Sequence, residues 1–136
     1  STHLGHSFPT RRSSDLFYVL PLNPGFLERE QTLNWNPVTE TLTALREYFD
    51  VKNVLGAVDA YLAYEPVLFN GSDNIALNVT FNQQVLGLAA VRVVPEDEAR
   101  VGKRVLLEIA AQKPDDGYLP GQYFGNVQII FDALRP

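Results

Sequence analysis

The sequence predicts an all-β protein of one domain, and three observations carry that prediction. Apolar residues return at every second position in several segments, the mark of strands with one buried face. Turn-forming residues break those segments at short intervals, as in a sandwich or barrel. A length of 136 residues with 46% hydrophobic content is enough for a single sizeable core.

In chain order, the first turn signals are Asn23-Pro24-Gly25 and Asn36-Pro37. Thr41 to Asn53 is ambiguous, because Leu42, Leu45 and Phe49 fall at helical spacing in a run short enough to be strand. After the turn Asn70-Gly71-Ser72, alternation becomes strict: Ile75, Leu77, Val79 and Phe81 against Ala76, Asn78, Thr80 and Asn82. Pro95-Glu96-Asp97 reads as a turn. Val105, Leu107, Ile109 and Ala111 then alternate in one strand and Val127, Ile129, Phe131 and Ala133 in another, with Pro114-Asp115-Asp116-Gly117 turning between them. Both of these strands carry apolar residues on their second face as well, which suits central positions in a sandwich.

Composition excludes several functions. The formal charge is −5 and the eleven basic residues are scattered, whereas nucleic-acid binders gather theirs on one face. There is no cysteine, hence no disulfide framework and no thiolate metal site. No segment approaches the roughly 18 apolar residues needed to span a bilayer, and no signal peptide opens the chain.

His6 to Leu16 resembles the translation of a common short-read sequencing-library adapter, with the last codon completed at the junction. Residues 1–16 are therefore expected to be foreign and disordered, and the natural start, with any signal peptide, to have been overwritten. Setting them aside removes Arg11 and Arg12 against Asp15, so the charge moves from −5 to −6. It also removes both histidines and leaves Ser72 as the one serine. No Ser–His or Cys–His pair can then be assembled, and imidazole- or thiolate-dependent metal sites are not expected. The acids of Glu96-Asp97-Glu98 and Asp115-Asp116 sit beside Pro or Gly, where solvated carboxylates are the ordinary filling. The sequence is read as that of a non-enzyme with no cofactor.

The second half of the chain carries a specific set of short motifs. Gln84-Val85-Leu86 is followed by Leu106 to Pro114, a strand ending in a small-residue step, and then by Pro120-Gly121-Gln122-Tyr123-Phe124-Gly125-Asn126-Val127 running on to Ala133. In these motifs, and in Asn23-Pro24 after the first strand, the chain resembles the colonisation-factor and coli-surface-antigen type of fimbrial major subunit, of the alternate chaperone–usher class. The resemblance covers about Leu16 to Leu134 and argues that Thr41 to Asn53 is a strand.

That resemblance implies an immunoglobulin-like β-sandwich lacking one strand, in which each subunit's open apolar groove is filled by the N-terminal strand of the next. It divides the chain into the foreign residues 1–16, a residual donor strand at 17–23 and the domain proper at 24–136. Counting back from Asn23-Pro24, period two assigns Leu16, Tyr18, Leu20 and Leu22 to a neighbour's groove. An ordinary first strand within its own domain is the alternative for Phe17 to Leu22. The groove is placed beside the closing strand, lined by Val127, Ile129 and Phe131. Implied partners are neighbouring subunits, a periplasmic chaperone, an outer-membrane usher and a tip adhesin, and the implied location is an extracellular fimbrium reached through the periplasm. A surface adhesin or carbohydrate-binding module of the same fold is the other reading, in which Trp35, Tyr61 and Tyr118 would share an exposed face.

Overall fold

The computed structural model describes residues 2–7, 16–23, 25–26, 31–38, 40–112 and 123–134, and of residues 2–7, 31, 32 and 35 the backbone alone. The chain opens with β1 (Thr2–Ser7), β2 (Phe17–Pro21), β3 (Gln31–Leu33) and the short pair β4 (Trp35–Asn36) and β5 (Thr41–Leu42). It continues through β6 (Leu45–Asn53), β7 (Val58–Leu62), β8 (Val67–Phe69), β9 (Asn74–Phe81), β10 (Gln84–Val85) and β11 (Val91–Val94). A one-and-a-half-turn helix, α1 (Glu96–Val101), precedes the long closing strands β12 (Lys103–Ala111) and β13 (Tyr123–Ala133).

Two layers result, antiparallel among the described residues except where β1 joins β13. One runs β2-β6-β12-β9, and the other sets β7 between β11 and β13, with β1 and β3 beyond β13. Strand β8 pairs with β9 on one edge and meets β13 at Phe124↔Phe69 on the other, so it links the two layers at a corner. The β8–β9 turn is tied by Asn70, whose side-chain oxygen accepts from the backbone N–H of Ser72 and Asp73.

Period two produces the core directly. Along β9 the buried residues are Ile75, Leu77, Val79 and Phe81, and along β12 they are Val105, Leu107 and Ile109. A line of edge-to-face rings crosses the interior, Phe26 to Phe49 at 5.9 Å, Phe49 to Phe81 at 5.8 Å and Phe81 to Phe131 at 5.1 Å. Such pairs add to the burial of their area.

Thr41 to Asn53 is strand: Leu45–Asn53 forms β6, paired with β12 on one edge and β2 on the other. Burial of Phe49, Val51 and Asn53, with half-exposed residues between, shows tertiary pairing overriding the helical spacing of Leu42, Leu45 and Phe49. The acids after Pro95 do not make a turn as expected. Glu96, Asp97 and Glu98 form the first turn of α1, where carboxylates favour the helix N-terminus, and Ala99 packs into the core. Gly102, at φ +96°, ends the helix by donating its N–H to the Glu98 carbonyl.

Candidate functional site

Strand β1 lies in a slot of the second layer. It runs parallel to β13 from Thr2↔Tyr123 to Ser7↔Gln128, and antiparallel to β3 over Thr2↔Leu33, His3↔Thr32 and Leu4↔Gln31. Among the described residues this is the one parallel pairing, and β3 has no strand partner besides β1. Adjacent strands stand about 4.8 Å apart, so β3 and β13 flank a gap one strand wide, about 10 Å across. Residues expected to be disordered thus form a strand. The physical reason is that a sheet edge offers main-chain donors and acceptors to any extended segment, whatever its side chains.

The closing strand supplies the inner lining. Val127 stands in register with His6, while Ile129 and Phe131 lie past the end of β1. All three side chains are buried in this chain's own core. On its opposite edge β13 pairs with β7 from Ile129↔Leu62 to Ala133↔Val58, so β7 closes one edge of the strand throughout that half.

Phe17–Pro21 occupies a different place, at the outer edge of the first layer against β6. The register Phe17↔Asn53, Val19↔Val51 and Pro21↔Phe49 sets its facing, because cross-strand partners share a face. Phe17 and Val19 are therefore buried. Leu16 at 51%, Leu20 at 51% and Leu22 at 42% exposure point outward, with Tyr18 half-buried on the same side. The structure thus brings together Val127, Ile129 and Phe131, and separately Leu16, Tyr18, Leu20 and Leu22, in different layers of this chain.

Sequence reasoning missed the second wall of the slot, β3, whose Leu33 is buried. The signal was faint, a single apolar side chain in a three-residue strand. Gly125, within the Pro120–Val127 motif, owes its place to a close backbone approach. An added Cβ would lie 2.2 Å from the Val67 carbonyl oxygen, so only glycine lets β8 close on β13 here, as an isolated glycine within a strand pattern often signals. Asn53 was also missed. Buried at the end of β6, its Nδ2 donates to the carbonyls of Ala57 (2.9 Å) and Leu134 (3.0 Å), and its Oδ1 accepts from the Leu55 N–H (3.1 Å). With Leu134 donating to Ala57, this clamp fixes the C-terminal end of β13.

Tyr123, the first residue of β13, is buried, and its phenol pKa is raised above the ordinary tyrosine value, first by loss of water and second by the negative Asp73. Of the aromatics that would mark a sugar-binding face, Tyr61 is half-buried in β7. The Trp35 side chain and all of Tyr118, with the Asp115-Asp116-Gly117 turn, lie outside the described residues. Among the described residues no three His, Cys, Asp or Glu are placed to hold a metal ion, and no helix is long and apolar enough to cross a membrane.

Comparison with known proteins bears on this geometry. The family model described as CS1 type fimbrial major subunit matches residues 13–132. Among solved structures, the CooA pilin subunit from enterotoxigenic Escherichia coli is similar with a TM-score of 0.55 at 16% identity, over 75% of this chain and 87% of that one. At that identity the likeness establishes the fold, an all-β pilin-like sandwich. No curated protein sequence matches.

Proposed function

The chain belongs to the family of CS1 type fimbrial major subunits, and on that premise we propose that it builds its fimbrium by strand addition, each copy filling the slot of the next. It is a structural subunit of an extracellular fimbrium, in a family that is not one of enzymes. The finer proposal is that the slot between β3 and β13 takes the Leu16–Leu22 segment of a neighbouring copy, which gives up its place beside β6 to enter it, with Leu16, Tyr18, Leu20 and Leu22 turned inward beside Val127, Ile129 and Phe131.

One observation carries this reading: β3 is tied to the rest of its sheet, among the described residues, through β1 alone. The native part of the domain therefore leaves a strand position between β3 and β13 that some extended segment must fill. Side-chain parity supports Leu16–Leu22 as the natural occupant, because its outward face holds the apolar residues its own domain leaves in water. Burying each would contribute about 1.5–3 kcal/mol, on top of the main-chain ladder. In this scheme a periplasmic chaperone covers the slot first, an outer-membrane usher passes the subunit on, and a tip adhesin takes the first donor strand.

The test uses the subunit with its native N-terminus restored from overlapping sequence reads. Purified copies should form multimers that survive mild denaturant, and Leu20→Lys should abolish them while shifting monomer stability by no more than about 0.5 kcal/mol, as an exposed site predicts. Val19→Lys should instead unfold the monomer. A restored subunit that stays monomeric ends the strand-addition reading, and multimers that persist in Leu20→Lys would remove this segment as the donor.

A further inference from the structure

We infer that this chain, with the N-terminus it carries, is self-capped: Thr2–Ser7 holds the Tyr123–Gln128 half of the acceptor slot from within the same molecule and shuts out a strand from a second copy there. The inference rests on the slot being the acceptor of the proposed assembly, and it adds what occupies that slot here and how the slot recognises its occupant.

Three observations support it. First, the pairing is two-sided over Thr2–Leu4, with β3 on one edge and β13 on the other, and continues on β13 to Ser7. A segment paired on both edges has none left for another strand. Second, the connection is long enough. The eight residues between Ser7 and Leu16 can span up to about 30 Å, against roughly 10 Å between packed sheets. An intramolecular strand also competes at an effective concentration in the millimolar range, far above that of separate chains in dilute solution. Third, the capping sequence Thr-His-Leu-Gly-His-Ser has a single large apolar residue and extends into the segment that resembles a translated adapter. The slot therefore takes this strand through its main chain and extended shape. An occupant must be able to run along β13, and its side chains set how tightly it is held.

Cysteine cross-linking tests the geometry against a cysteine-free background. Gly5 and Asn126 are register partners, and Asn126 is on the exposed face of β13, so neighbouring positions of this kind fall within disulfide reach. The full chain carrying Gly5→Cys and Asn126→Cys should form an intramolecular disulfide on mild oxidation and remain a monomer. Disulfide-linked dimers, or no cross-link at all, would overturn self-capping. A second variant of the full chain, Gly5→Pro, breaks the capping ladder. Amide exchange at Phe124–Gln128 and Gln31–Leu33 should then accelerate roughly tenfold or more, and a labelled synthetic peptide of residues 16–23 should bind the variant and not the parent chain. Equal peptide uptake by both overturns the cap. No uptake by a variant with accelerated exchange retires the strand-addition reading, and with it the claim that the cap excludes a partner.

Discussion

The two halves of β13 make an instructive contrast. From Ile129 to Ala133 the strand pairs with β7 in five register pairs, and its end is clamped by Asn53. From Tyr123 to Gln128 the same strand borders a slot whose occupant, β1, comes from a segment expected to be foreign. Side chains on both halves point into one core, so burial alone does not distinguish them. The difference lies in the backbone: one half pairs with β7, and the other pairs along β1 at the start of the chain. In the proposed assembly the first half belongs to a stable body and the second to a seam where strands exchange.

Truncation in the body gives the sharpest way to break that contrast. Phe81 touches both Phe49 and Phe131 and is fully buried, so Phe81→Ala should lower global stability by about 3–5 kcal/mol. Chemical denaturation followed by circular dichroism will measure it, and amide protection should fall in both halves of β13 together. Gly125→Ala comes next. Its added Cβ meets the Val67 carbonyl, a backbone atom that cannot rotate away, and overpacking of this kind destabilises by about 1–3 kcal/mol. Because the clash sits at the β8 corner, exchange should rise first at Phe124 and Phe69, leaving Ile129–Ala133 protected.

Much of the body was legible in the sequence, because strict alternation encodes both the strand and its buried face. Ile75 to Phe81 and Val105 to Ile109 show the expected pattern residue for residue. Thr41 to Asn53 was ambiguous because three apolar residues fit two periods, and only pairing on both edges of β6 decided it. Helix α1 was hidden because its six residues are too few to show a period, and Pro-Glu-Asp serves a turn as well as a helix start. The seam was the least legible region. Main-chain pairing leaves little trace in side chains, so neither the wall β3 nor the occupancy by Thr2–Ser7 has a pattern to read. The parity of Phe17 to Leu22 was visible, but which face is inward depends on the sheet the strand joins, and alternation is silent on that.

Asn53→Ala isolates the native end of the strand. It removes two donated hydrogen bonds and one accepted one at a buried position, and unpaired buried polar groups destabilise by about 1–3 kcal/mol. We expect about 2 kcal/mol by denaturant titration, with faster exchange confined to the Ala57–Leu134 contact and the slot half of β13 unaffected. A loss of protection at Phe124–Gln128 in this variant would mean the two halves are one cooperative unit and the contrast is wrong.

The smallest effect is a pH dependence that reports on the seam itself. Burial, with Asp73 adding to it, raises the Tyr123 pKa in the folded chain, so the unfolded chain loses its phenolic proton first. The stability this group contributes is therefore complete below the ordinary tyrosine range of about 10 and declines as pH rises above it toward the folded value. Tyr123→Phe should flatten that alkaline decline while leaving stability at neutral pH nearly unchanged, as denaturation midpoints at pH 7 and above pH 10 will show. Tyr123 is in register with Thr2 at the mouth of the slot, so its titration, followed by nuclear magnetic resonance, should move back toward the ordinary value when Gly5→Pro opens the seam. An unchanged titration in that variant would place the burial of Tyr123 wholly within the native body, and would move the boundary between body and seam toward Val127.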